Sequence, residues 1–147
     1  MKHEADKAIE KSPSVKNCIV VNRISEPVSW NIGRDIHWDS LISNNQQVET
    51  LQTSAEDPFM LIYTSGTTGK PKGAVHTHGG FPVKAAFDSG IGMDVKQGDT
   101  FFWYSDMGWM MGPFLVFGGL VNGAAIVLYE GAPDFPHNDR LFAICSK

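Results

Sequence analysis

The sequence predicts an α/β fold, on three observations. Short β-prone apolar runs at residues 17–23, 59–63, 74–77, 100–104 and 124–129 are each closed off by Gly, Pro or polar turn residues. Stretches of helical length precede, separate and follow them, at residues 3–11, 80–90, 112–121 and 139–147. An apolar content of 42% supplies a core for a chain of 147 residues. Strands alternating with helices bury their apolar faces as α/β layers.

The elements follow in order. Residues 3–11 are charged, with Ala5, Ala8 and Ile9 as the apolar stripe of a surface helix that Ser12 and Pro13 stop. N-C-I-V-V-N-R at 17–23 reads as a buried strand. Residues 24–57 are polar and turn-rich, apart from a helical turn over 38–42 with Asp39 near its start, and 44–54 reads as a mobile connection. Two buried strands, 59–63 and 74–77, flank a polar loop, and a helix over 80–90 tolerates Pro82 in its first turn. After a polar turn at 94–99, T-F-F-W-Y forms a strand. The apolar helix 112–121 uses Gly118 and Gly119 for close packing, and a further buried strand at 124–129 ends in the turn 130–133. Leu141, Phe142 and Ile144 make 139–147 amphipathic. There is no internal repeat.

Residues 59–78 read F-M-L-I-Y-T-S-G-T-T-G-K-P-K-G-A-V-H-T-H. Gly66, Gly69 and Gly73 allow positive φ and close backbone approach, and successive N–H groups in such a loop make an anion-binding concavity. Thr64, Ser65, Thr67 and Thr68 add hydroxyls, while Lys70 and Lys72 add two charges with no carboxylate in the segment. One lysine–phosphate pair at ~4 Å is worth roughly 4 kcal/mol at an effective dielectric near 20, before desolvation. The combination reads as a polyphosphate cradle rather than a solvated hairpin loop. It is not a Walker loop, because Thr64 stands where the first glycine belongs and Pro71 where the magnesium-binding hydroxyl belongs.

Bulk composition narrows the partners. A net charge of −4 and a pI near 5.6 offer no basic field for nucleic acid or an anionic membrane. Cys18 and Cys145 suggest neither a disulfide framework nor a metal motif, and read as reduced intracellular thiols. The charged start lacks the apolar stretch of a signal peptide. The longest apolar region, 109–121, is too short to span a bilayer, so the expected location is the cytoplasm. His76 and His78 share a strand face by spacing. A catalytic zinc needs a third ligand, and the simpler reading puts both histidines beside the anion site and a helix start.

Y-T-S-G-T-T-G-K-P-K-G-A-V-H-T-H resembles, without gaps, the phosphate-binding signature of the AMP-binding, adenylate-forming superfamily. S-D-M-G-W-M-M-G-P followed by G-A-A-I-V-L-Y-E-G-A-P-D-F-P resembles its acetyl-CoA synthetase and short-chain acyl-CoA synthetase branch. The resemblance implies part of the large N-terminal domain of that fold, left incomplete, with residues 1–147 as a partial adenylation domain. It implies that Thr64, Ser65, Gly66, Thr67, Thr68, Gly69, Lys70 and Lys72 hold the β,γ-phosphates of ATP while a small-molecule carboxylic acid attacks the α-phosphorus. Acyl-adenylate and pyrophosphate result, and the acyl group then passes to coenzyme A. Trp109 and Met110 would shape the acyl site. Met111 and Asp134 match places where relatives approach coenzyme A; there acetyl-CoA synthetases tend to carry Thr and Asn, so a hydroxyl is lost and a charge gained.

The resemblance covers nearly all of this chain but a minor part of a typical member. The segments that supply the Mg2+-coordinating Glu, the ribose-binding Asp, the hinge and the C-terminal lysine are not in it. Losing one electrostatic donor commonly costs about 10²–10³ in rate, so the chain is expected to be inactive without the missing remainder of the synthetase. Two rival readings are a non-catalytic nucleotide-binding module and an adenylating enzyme with a non-CoA acceptor. Uncovered strand edges and apolar faces are expected to promote association.

Overall fold

The computed structural model describes residues 1–42, 47–65 and 69–147. It divides into two compact units, Met1–Thr50 and Leu51–Lys147.

The first unit opens with α1 (Lys2–Glu10), followed by β1 (Cys18–Val20), β2 (Asp35–His37) and α2 (Trp38–Ile42). β1 and β2 pair in parallel, with Cys18 opposite Asp35 and Val20 opposite His37. The strand β2 has no counterpart in the expectations, because D-I-H carries no apolar run. It forms because Asp35 is wired to its surroundings. Its side chain is fully shielded and meets Lys2 Nζ at 2.8 Å and Arg34 Nε at 2.6 Å. It also accepts the Asn31 N–H at 2.9 Å. Asp6 joins the network through Lys2 at 2.6 Å and the Ser29 hydroxyl at 2.8 Å, which ties α1 to β2. Trp30 stacks on His37 with centroids 3.9 Å apart. The expected helical turn over 38–42 is present as α2. Of the connection 44–54, residues up to 46 lie outside the described set, and 47–54 are irregular.

The second unit contains β3 (Pro58–Thr64), β4 (Lys72–Thr77), α3 (Phe81–Phe87), β5 (Thr100–Phe102), α4 (Met111–Val121), β6 (Ala125–Val127) and α5 (Arg140–Cys145). β3 and β4 form an antiparallel hairpin, and β5 and β6 are parallel neighbours joined through α4. The core consists of Phe81, Ala85, Val95, Phe101, Phe114, Leu115 and Ala124, with Phe59, Met60, Met111, Phe117 and Ile126 packed against it. Pro82 sits in the first turn of α3, where its missing N–H costs nothing. A π-helical turn, Asp88–Gly92, extends α3. Gly119 lets α4 lie directly on β6, since a Cβ there would collide with Ile126 Cγ2.

Several expectations need correction. The runs at 17–23 and 124–129 are not buried strands, since Ile19, Val21 and Leu128 are 54%, 65% and 69% exposed. β3 is not a buried strand: Phe59 and Met60 reach the core, but Leu61 and Tyr63 are 61% and 69% exposed. A two-stranded hairpin presents one face to the core, and among the described residues no layer covers the other. The strands at 100–104 and 124–129 are shorter than their β-prone runs, because only three residues of each find a partner. Gly73 lies in β4 without positive φ. Its lack of a side chain instead makes room for Tyr63, whose ring a Cβ would approach to 3.2 Å.

Candidate phosphate-binding hairpin and adjoining cleft

The register of the hairpin sets Tyr63 opposite Gly73 and Thr64 opposite Lys72, so the polar loop leaves one strand end and returns to the other. Gly69 has φ +76°, in the left-handed region, and open space where a Cβ would stand. Its glycine requirement is therefore conformational rather than steric. Thr64, Ser65, Lys70 and Lys72 are exposed at this end. Among the described residues, neither Lys70 nor Lys72 enters an ion pair, unlike Lys2, Lys7, Arg34, Lys84 and Lys96, which all do. Gly66, Thr67 and Thr68, also read as phosphate-holding residues, lie outside the described set. The described part of the loop thus brings two ammonium groups without ion-pair partners and two hydroxyls to one end of the hairpin, the inventory an oxyanion needs.

On the core side of the hairpin a cleft of about 440 Å³ opens between β4, α3 and the start of α4, within the usual size range of small-molecule sites. Val75, His76, Phe81, Lys84, Met110 and Phe114 are among its walls. His76 packs edge-on against Phe81 at 5.1 Å and His78 against Phe59 at 5.3 Å. Among the described residues no three His, Cys, Asp or Glu side chains group as metal ligands. Lys84 pairs with Asp88 one turn on, at the cleft wall.

The turn after β5 positions the residues read as acyl-site and coenzyme A contacts. The Gly108 N–H donates to Asp106 Oδ1 at 2.6 Å, and the Trp109 N–H to Asp106 O at 3.0 Å. Gly112 packs against the backbone of Asp106 and Met107. Met110 faces the cleft. Trp109 is 68% exposed and is not one of its walls. Met111 is half-buried against the core, and Asp134 is exposed on the turn after β6. The contributions of His76, Phe81 and Lys84 to this cleft were not foreseen. Their only signal in the sequence was adjacency to the loop, and the folding of α3 back over β4 is a tertiary fact.

Similarity to known proteins agrees with this geometry. Acetyl-coenzyme A synthetase from Chlorobaculum tepidum is 40% identical over 149 aligned residues, covering 100% of this chain and 23% of its own length. The enzyme of the same name from Streptomyces coelicolor is 39% identical, again over 100% of this chain and 23% of its own. Among solved structures, acetoacetyl-CoA synthetase from Streptomyces lividans superposes with a TM-score of 0.85 at 33% identity, covering 98% of this chain and 22% of that one. The chain therefore spans under a quarter of the length of these relatives. The sequence model of the AMP-binding enzyme family matches residues 2–147, and with the hairpin, the turn after β5 and the shared fold in view, the chain belongs to that family.

Proposed function

We propose that this chain is part of the adenylation domain of an AMP-forming acyl-CoA synthetase, most similar to the acetate and short-chain branch, and that all 147 residues belong to that one domain. The reaction of the whole is carboxylic acid, ATP and coenzyme A giving acyl-CoA, AMP and pyrophosphate, in the cytoplasm. The observation that carries the reading is the hairpin end, where Lys70 and Lys72 stand exposed without carboxylate partners beside Thr64 and Ser65.

Each residue has a role in this reading. The loop from Thr64 to Lys72 orients the β,γ-phosphates and offsets their charge, so that pyrophosphate is a stabilised leaving group. Met110, on the cleft wall, bounds the acyl group, and Trp109 next to it in the chain is assigned the same role. Met111 and Asp134 lie toward coenzyme A. Mg2+, when bound, would add charge neutralisation at the phosphates, and the resemblance to the family implies that its Glu ligand comes from a segment outside these residues. With that part missing, the chain by itself is expected to bind pyrophosphate and not turn over.

Isothermal titration of the chain with inorganic pyrophosphate tests the hairpin. We expect weak binding that falls about fivefold for each of Lys70→Ala and Lys72→Ala, in line with about 1 kcal/mol per exposed charge contact. Equal binding by wild type and the double variant would remove the basis of the assignment. Pyrophosphate release from ATP with acetate and the isolated chain would refute the expectation of inactivity.

A further inference from the structure

We propose that Ser89 and Asn122 form a positioning clamp that fixes α4 against α3 and thereby sets the width of the cleft and the place of Met110. The claim that the cleft takes an acyl group rests on the function proposed above; the clamp itself does not.

Among the described residues of the second unit, Ser89 is the one fully buried polar side chain, at 0% exposure. It sits in the π-helical turn after α3, where the widened winding leaves carbonyls without their regular i+4 donors. Its hydroxyl lies 2.8 Å from Ala85 O and 2.9 Å from Gly118 O, so its single proton is shared between, or donated to either of, an α3 carbonyl and an α4 carbonyl. Asn122 closes the arrangement from the end of α4. Its amide Nδ2 stands 3.0 Å from Ser89 Oγ, 3.0 Å from Ala86 O and 2.8 Å from Gly118 O.

The clamp works only because the backbones touch. A Cβ on Gly118 would stand 2.9 Å from Ser89 Oγ and 3.2 Å from Ala85 O, and one on Gly90 would stand 2.9 Å from Asn122 Oδ1. The two helices therefore have one spacing at which these groups are all satisfied. The cleft lies between the same two helices, with Phe81, Lys84 and Ala85 from one and Phe114 from the other in its walls. Met110 precedes α4, about two turns or ~12 Å from Gly118 along the axis. A rocking of α4 by 10° about the clamp would therefore displace it by roughly 2 Å. Buried polar groups with a single satisfied geometry suit this role better than apolar packing, which tolerates sliding.

The test is methyl NMR of the 147-residue chain with 13C-labelled methionine, as wild type, Ser89→Ala and Asn122→Ala. We expect the Met110 methyl signal to shift and broaden about twofold in both variants as helix motion enters the μs–ms range, while the Met60 signal stays sharp. Unchanged Met110 signals in folded variants would overturn the proposal, and so would loss of the whole fold in both variants, which would make the pair a folding element. Addition of butyrate to the wild type separates the two claims. No response of the Met110 methyl would refute the acyl reading of the cleft, and leave the clamp to be judged on the ligand-free spectra.

Discussion

Replacing Gly112 by alanine asks whether the turn that carries Trp109 and Met110 is held by backbone contact. A Cβ at this position would meet Asp106 O, would lie 2.7 Å from Met107 Cα and 2.9 Å from Asp106 C, whereas ordinary contact begins near 3.4 Å. All three atoms are main chain, so none can rotate away. The turn or the first turn of α4 must retreat by about 0.7 Å or more, which forfeits part of the packing on both sides. Overpacking of this kind costs typically 1–3 kcal/mol, against up to ~1 kcal/mol gained from alanine's higher helix propensity. The net expectation is a loss of about 1 kcal/mol. With an m-value of roughly 1–3 kcal/mol per molar urea, the unfolding midpoint should fall by about 0.5 M. The assay is urea denaturation followed by circular dichroism. Gly92→Ala serves as the control, because nothing lies within 4 Å of its Cβ position and its φ is not positive. Equal midpoints for the two variants would refute the reasoning, and with it the claim that the turn is anchored by close approach.

Other consequences are equally direct. Phe114, 7% exposed and ringed by Phe101 and Trp103 at 6.3 and 6.1 Å, should cost about 3–5 kcal/mol on truncation to alanine, measured in the same urea assay; a loss below about 1 kcal/mol would mean that this ring is not central to the core. The carboxylate network of the first unit predicts an acid limit. Hydrogen bonds from Lys2 and Ser29 lower Asp6 to about 2, and Arg34 with Lys2 and the Asn31 N–H hold Asp35 below the usual carboxylate range. Depressed carboxylates contribute stability that is present above about pH 4 and is lost as pH falls through the folded values. Asp35→Asn should therefore weaken the first unit at pH 7 and do so less near pH 2, followed by the Trp30 indole NMR signal; an equal loss at both pH values would contradict this. Pyrophosphate binding at the hairpin should weaken as salt rises, and less steeply in Lys72→Ala, because exposed charges are screened; a salt-independent affinity would speak against charge-based capture.

Local chemistry made much of this molecule readable in advance. The hairpin, the Pro-initiated α3, the apolar α4 and the turn after β5 were all legible, because each is dictated by residues within one element: alternation, a tolerated proline, a helical apolar run, a cluster of turn formers. The proposal of a phosphate loop rests on the same kind of local signal, since glycines, hydroxyls and lysines suited to an oxyanion lie consecutively. β2 was not legible, because its stability comes from Lys2 and Asp6 on a helix far back in the chain. Nor was the exposure of Leu61 and Tyr63, since periodicity tells which face is apolar but not whether anything covers it. The same holds for Gly73, whose role is to accommodate a cross-strand ring rather than to turn the backbone.

By itself, then, the order of residues determined which chemistry the chain carries: a cationic, hydroxyl-rich hairpin end and a short turn bearing a tryptophan and two methionines, both set in an α/β framework. Only the tertiary structure decided which of those side chains share a cavity. It brings Met110 to His76, Phe81 and Lys84 and leaves Trp109 outside. It also gives Ser89 its part, as an unremarkable serine in a D-S-G string becomes the bridge between two helices. The physical reason is the range of the forces involved. Backbone preference acts over a few neighbouring residues, whereas burial and buried hydrogen bonds depend on partners that sequence distance does not reveal.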